Sequence, residues 1–276
     1  MLTSLDVKRA LEELGVTPGD SIITHSSFKS VGPTEEGAKT IVDGMMLAVG
    51  DEGTVIFPTL CSNDWENVYK NWNLDAPSDV GYLTNYFRCL PEAKRSNQAT
   101  HSVAAIGKLA DEITKTHGEA GKRYGIFGDT PFSSDSPWEK MYNLDTKMLF
   151  IGVGLRKCTL RHFVEYCVMN EYLEKAKKSE KYEELKDKLW TFEKNGEYVW
   201  DKQGIWPRIE SEFIGTVLES EGKLKRGRIG DAEVLLVSAR DFADKARALM
   251  LQRHPSALSA YSGPIVYPWL DEIDAL

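Results

Sequence analysis

No window of this 276-residue chain approaches the roughly 18 uninterrupted apolar residues that a membrane-spanning helix requires. The opening MLTSLDVKRALEELGV sets charges at helical spacing where a secretory leader has an apolar core. A cytoplasmic protein with no membrane partner is expected. Cysteine is sparse: Cys61, Cys89, Cys158 and Cys167 are scattered without a Cys-x-x-Cys pair, so neither a structural zinc site nor a redox dithiol is encoded, and no metal is expected. Positive charge is short as well. With 34 Lys and Arg against 42 Asp and Glu, the net charge of -8 argues against nucleic-acid binding, which needs a basic face. Internal repeats, low-complexity tracts and credible linkers are missing too, so residues 1–276 read as one domain.

What is present has the pattern of a folded α/β protein. Residues 4 to 14 predict an amphipathic helix with Leu5, Ala10, Leu11 and Leu14 inward, stopped at Gly15. SIITHSS reads as a buried strand, AKTIVDGMMLAVG as a helix and GTVIFPTL as a central strand, together a βαβ unit that places the HSS loop at the carboxyl edge of the sheet. HSVAAIG and KMLFIGVG predict two more buried strands, separated by a helix in KLADEITKTH and by a loop ending at Ser136-Pro137, a helix cap and first turn. YLEKAKKSEKYEELKDKLW reads as a solvated helix, Asn195-Gly196 as a hairpin turn, and the remainder as a helix, a strand (AEVLLVSA) and a helix. The expected fold is a single domain with a largely parallel, mixed central sheet flanked by helices, plus a small antiparallel elaboration. Residues 61 to 90, rich in Trp, Tyr, Asn and Asp, are long for a connector and suit a ligand-facing loop.

The stretch CTLRHFVEYCVM carries the chemistry in question. At about 100° per residue, Leu160, Phe163, Val164, Cys167 and Val168 make an apolar stripe, with His162, Glu165 and Met169 on the far side. Helical periodicity alone leaves His162 and Glu165 as either a base with its carboxylate or a solvated face. With Thr159 as N-cap, His162 lies in the first turn, where the positive end of the helix favours a neutral imidazole able to accept a proton.

Taken in order, GVTPGDSIITHSSFKSVG, GTVIFPT, KRSNQATHSVAAIGKLAD, GIFGDTPFSSDSPWEKM, FIGVG and TLRHFVE resemble the aminoglycoside N3-acetyltransferase family, over about residues 4 to 170 and more loosely beyond. The resemblance implies acetyl-coenzyme A as donor, an amine as acceptor, above all the 3-amino group of an aminoglycoside, and direct transfer without a covalent acyl-enzyme. By it, His162 is the general base, Glu165 its acidic partner and Thr159 the threonine of the same motif. His25, Ser26 and Ser27, with Arg95, Ser96 and Ser102, fall where the family's coenzyme-binding loops lie. One departure is visible: the family has Pro shortly after the Arg-Ser pair, where Gln98-Ala99 stand here. If the acceptor is a polycation, carboxylates should line its side of the site, Asp64 among them. A homodimer is left open.

Two rival readings belong to other classes. Cys158 or Cys167 with His162 would make a thiol-dependent acyltransferase or amidase. A coenzyme-binding protein that has lost turnover would keep the fold without the reaction.

Overall fold

The apolar, β-branched runs form strands because each buries both of its faces between helices. The computed structural model describes residues 1–61, 68, 72–117, 131–190, 193–194, 197–198 and 204–276. In chain order the helices are α1 (Ser4–Leu14), α2 (Ala38–Val49), α3 (Tyr82–Arg88), α4 (Ala110–Thr114), α5 (Pro137–Asn143), α6 (Leu160–Ala176), α7 (Tyr182–Asp187), α8 (Ser211–Ser220), α9 (Ala239–Leu251) and α10 (Gly263–Asp274). The strands are β1 (Ser21–Ser26), β2 (Thr54–Pro58), β3 (Lys94–Arg95), β4 (Val103–Gly107), β5 (Lys147–Ile151), β6 (Glu193–Lys194), β7 (Glu197–Tyr198), β8 (Leu224–Ile229) and β9 (Ala232–Ser238).

Seven strands form one sheet in the order β3-β4-β2-β1-β5-β9-β8. The mixed α/β sheet expected from the sequence is present, and its parallel part is the central trio: Ile23 of β1 faces Ile56 of β2 on one side and Met148 of β5 on the other. The outer pairings, β2 with β4, β4 with β3, β5 with β9 and β9 with β8, are antiparallel. An apolar run has the same composition whichever way its neighbour points, so it does not encode strand direction in the flanks. The small antiparallel ribbon pairs Glu193 with Tyr198 and Lys194 with Glu197, while Asn195 and Gly196 lie outside the described residues.

Alternation along the strands divides the apolar residues into two layers. Ile22, Val55, Phe57 and Leu149 pack against α1, α2 and α3, whereas Ile23, Ile56, Met148 and Phe150 pack against α5, α6, α9 and α10. Fully burying one such side chain contributes about 1.5–3 kcal/mol. In α1 the inward residues are Val7, Leu11 and Leu14, capped by a reciprocal Thr3 and Asp6 pair. Leu5, expected inward, is 61% exposed, because the i, i+4, i+7 stripe starting at Val7 faces the sheet instead. The charged run that closes α6 and continues into α7 has an inner side as well: Tyr172, Leu173, Ala176 and Leu185 are buried. Among the described residues no helix is long and apolar enough to cross a membrane.

This topology gathers the site. β1 and β5 are parallel and end at one edge, near Ser26 and Ile151. β4 runs against β2 with Val103 opposite Pro58, so the residues just before Val103 arrive at that same edge.

Candidate active site

β5 passes through Gly152, in the left-handed region at φ 62°, into a short turn at Leu155–Lys157 and then α6. Thr159 has helical dihedrals (φ -72°, ψ -28°), and its side chain caps no N–H. The expected N-cap bond is therefore absent. Its hydroxyl instead lies 3.3 Å from His25 Nε2, and its backbone N–H donates to the same nitrogen at 3.3 Å. An accepting Nε2 puts the ring proton on Nδ1, which is buried and has no partner among the described residues. The His25 ring stacks on Phe150 with centroids 4.9 Å apart, and burial pushes it down to about 3, so it stays neutral. His25 thus pins the end of β1 to the start of α6.

His162 sits in the first turn, its N–H donating to Thr159 O at 3.0 Å. Its Nδ1 is 2.7 Å from Glu165 Oε2. A carboxylate only accepts, so Nδ1 carries the proton and the Nε2 lone pair is left to meet a ligand. The ring is about a third exposed, with His101 and Phe132 ring centroids each 5.9 Å away. The helical wheel puts Glu165 on the far side of the apolar stripe. It is nevertheless 1% exposed, as Met169 beneath it is also buried, because residues 205–209 cover that side of α6. Oε2 accepts from Trp206 Nε1 at 3.1 Å as well as from His162, and Oε1 accepts from Ile209 N–H at 2.9 Å. Three donors hold this buried carboxylate in place, which is what an orienting group requires.

Other expected site residues are nearby but already engaged. Arg95 uses every donor on protein: Nε on Thr59 and Ser102 hydroxyls, Nη1 on Leu74 and Ala76 carbonyls, Nη2 on Thr59 O and Cys61 Sγ. It fastens the segment following β2 and leaves no N–H for a phosphate. Ser96 and Ser102 are fully buried; Ser96 Oγ meets His117 Nδ1 at 2.8 Å and accepts from Val103 N–H, and Ser102 Oγ lies 2.9 Å from Thr59 Oγ1. His117 itself is 1% exposed and pushed to about 3 by burial. Ser26 and Ser27 lie half-buried at the end of β1, with Ser27 N–H taken by Ile151 O at 2.9 Å. Asp64 lies outside the described residues.

His101 is buried beside His162, and burial, the larger cause, holds its pKa well below the ordinary value. Its carbonyl accepts from Trp138 Nε1 at 3.1 Å, and Gln98 Oε1 accepts from Thr100 and His101 N–H groups, closing the turn where the family has Pro. Trp206 escapes sequence reasoning altogether: GIWPRI has no periodicity to flag it. The thiols do not suit nucleophilic chemistry, since burial pushes both Cys158 and Cys167 up to about 12.

A family model described as aminoglycoside 3-N-acetyltransferase matches residues 23–251. Aminoglycoside N(3)-acetyltransferase III from Salmonella sp is 28% identical over 87% of this chain and 88% of that protein. A mutant of aminoglycoside acetyltransferase AAC(3)-IVa, solved in complex with a gentamicin, is 25% identical with a TM-score of 0.68, covering 92% of this chain and 90% of that one. AAC-IIIb, solved as a binary complex with CoASH, shares the fold at 20% identity and a TM-score of 0.68, over 91% of this chain and 97% of that one.

Proposed function

The chain belongs to the aminoglycoside 3-N-acetyltransferase family, and from that membership we propose that it transfers the acetyl group of acetyl-coenzyme A directly to an amine, with His162 as general base. One observation carries the reading: His162 Nδ1–H is fixed on buried Glu165, so Nε2 presents its lone pair at the carboxyl edge of the sheet. The complex of AAC-IIIb with CoASH supports the donor, and that of AAC(3)-IVa with gentamicin supports an amine acceptor. The 3-amino group of an aminoglycoside is the first acceptor to assay.

In this reading the neutral amine nitrogen attacks the thioester carbonyl carbon, forming the C–N bond as an electron pair moves onto oxygen. His162 Nε2 takes the N–H proton. The carbonyl re-forms, the C–S bond breaks and the thiolate recovers that proton from the imidazolium, giving an amide and free coenzyme A. Glu165 orients the ring and offsets its transient charge, Thr159 and His25 fix where α6 begins, and the Ser26 and Ser27 hydroxyls are the candidate donors to the oxyanion.

The test is thiol release from acetyl-coenzyme A with an amine panel. His162→Ala should lower kcat by about 100- to 10,000-fold with coenzyme binding retained. Intact-mass analysis during a single turnover should find no acetylated enzyme. Full activity in H162A would remove His162 from the reaction, and an acetyl adduct on the protein would replace direct transfer by a covalent route.

A further inference from the structure

His162 is walled on one flank by two buried rings to which the acetyl-transfer reading gives no task. The ring centroids of His162, His101 and Phe132 form a triangle with sides of 5.9, 5.9 and 4.8 Å. These are contact separations for aromatic groups and admit no water between the rings. His101 and Phe132 are 8% and 7% exposed, against about a third for the His162 side chain. Since Nδ1 is taken by Glu165, the exposure left to His162 lies on the side that the two rings do not cover.

The wall comes from two separate stretches of chain, and Trp138 joins them. Its fully buried ring packs on Phe132 at 5.9 Å, while its Nε1–H donates to His101 O at 3.1 Å. Behind Phe132, a carbonyl can only accept, so His117 Nε2–H donates to Pro131 O at 2.8 Å and Nδ1 accepts from the Ser96 hydroxyl at 2.8 Å. Behind His101, Thr100 Oγ1 meets its Nδ1 at 2.8 Å, and Gln98 Oε1 accepts from its N–H at 2.5 Å. Phe132 has no polar atom to hold a water, and the polar atoms that fix the wall are bonded to protein.

A general base beside a thioester activates whatever nucleophile reaches it. If water takes the place of the amine, its oxygen attacks the thioester carbonyl carbon and His162 Nε2 accepts its proton. The C–S bond then breaks and the thiolate recovers that proton, giving acetic acid and free coenzyme A, with the donor wasted. We propose that the Phe132 and His101 wall makes the site selective for an amine over water, by keeping water from the flank of His162. This rests on the acetyl-transfer reading of the same site and identifies the residues that decide transfer against hydrolysis.

The experiment measures thiol release from acetyl-coenzyme A by the full chain, with and without gentamicin. Without amine the wild type should turn over slowly. Phe132→Ala opens space beside the imidazole and should raise the amine-free rate by about 10- to 100-fold, inside the range that general-base assistance spans, with acetate formed in equal amount. Phe132→Leu, which refills most of that space with apolar atoms, should bring the rate back toward wild type. Combining F132A with H162A should abolish the rise, because the water needs the same base. Thermal melting reports the fold of each variant, and where F132A does not fold, Phe132→Val decides by the same comparison. A packing role alone can only lower thiol release. An amine-free rate in folded F132A at or below that of wild type therefore overturns the proposal, as does a rise that survives H162A. Gentamicin-dependent release by the wild type with no such rise in F132A leaves acetyl transfer standing and removes the wall. If no amine releases thiol, the acetyl-transfer reading fails, while a His162-dependent rise in F132A still establishes that the wall excludes water.

Discussion

At the scale of single residues, the carboxylate that holds His162 is itself held by a distant side chain. Trp206 Nε1–H and His162 Nδ1–H converge on one oxygen of Glu165. Trp206→Phe keeps most of the ring and removes one of the three donors that hold the Glu165 carboxylate, so the carboxylate should hold the His162 ring less firmly. The expected outcome is a kcat lowered by about 5-fold, the worth of one hydrogen bond, with KM unchanged. An unchanged kcat with a lowered melting temperature would mean that Trp206 is packing only. The three-residue spacing of His162 and Glu165 is legible in the sequence, but the choice between chemistry and a solvated face is not. For Glu165 the solvated face is excluded by Trp206 and Ile209, some 40 residues downstream, which make it a buried, triply bonded carboxylate.

At the scale of elements, the connection between β5 and α6 determines where His162 stands. Gly152 has φ 62°, and a Cβ there would meet Ser30 Oγ at 1.7 Å, in the loop that follows β1. Gly152→Ala should therefore displace the 26–31 loop and the start of α6 together, lowering stability by about 1–3 kcal/mol and kcat/KM with it. Adding Ser30→Ala removes the Oγ contact but leaves Ser30 Cβ at 2.6 Å and the dihedral strain, so the double variant should recover only part of the loss; a fully stable, fully active G152A would show that the turn carries no such constraint. The strands and helices that meet here are readable because β1, β5 and α6 carry strong periodicity. Three others are not: α3 lies inside the aromatic segment that reads as loop, β8 (LKRGRI) alternates too many charges to resemble a strand, and α10 opens on Gly263-Pro264 and carries Pro268 within it. All three take their form from neighbours, β8 from pairing with β9 and α10 from burying Val266, Trp269 and Leu270 against α6 and α9, so local propensity underestimates them.

For the whole molecule, the site's supporting histidines make its stability a function of acidity. His25 and His117 are each held near 3 by burial, and His101 well below its ordinary value, so the native state keeps all three neutral where the unfolded chain, with a value near 6.5, takes up protons. The unfolded state therefore binds more protons below about pH 6.5, and stability must fall as pH drops through that point toward the folded values. Each such group contributes a slope of about 1.4 kcal/mol per pH unit. Urea unfolding at pH 7, 6, 5 and 4 should show this steep loss, and replacing His117, which bridges Ser96 and Pro131 O away from the base, by Gln should remove one group's share of the slope while leaving the other two. If H117Q and wild type lose stability in parallel, His117 takes up its proton in the native state, and the polar bridge behind the site opens before the protein unfolds.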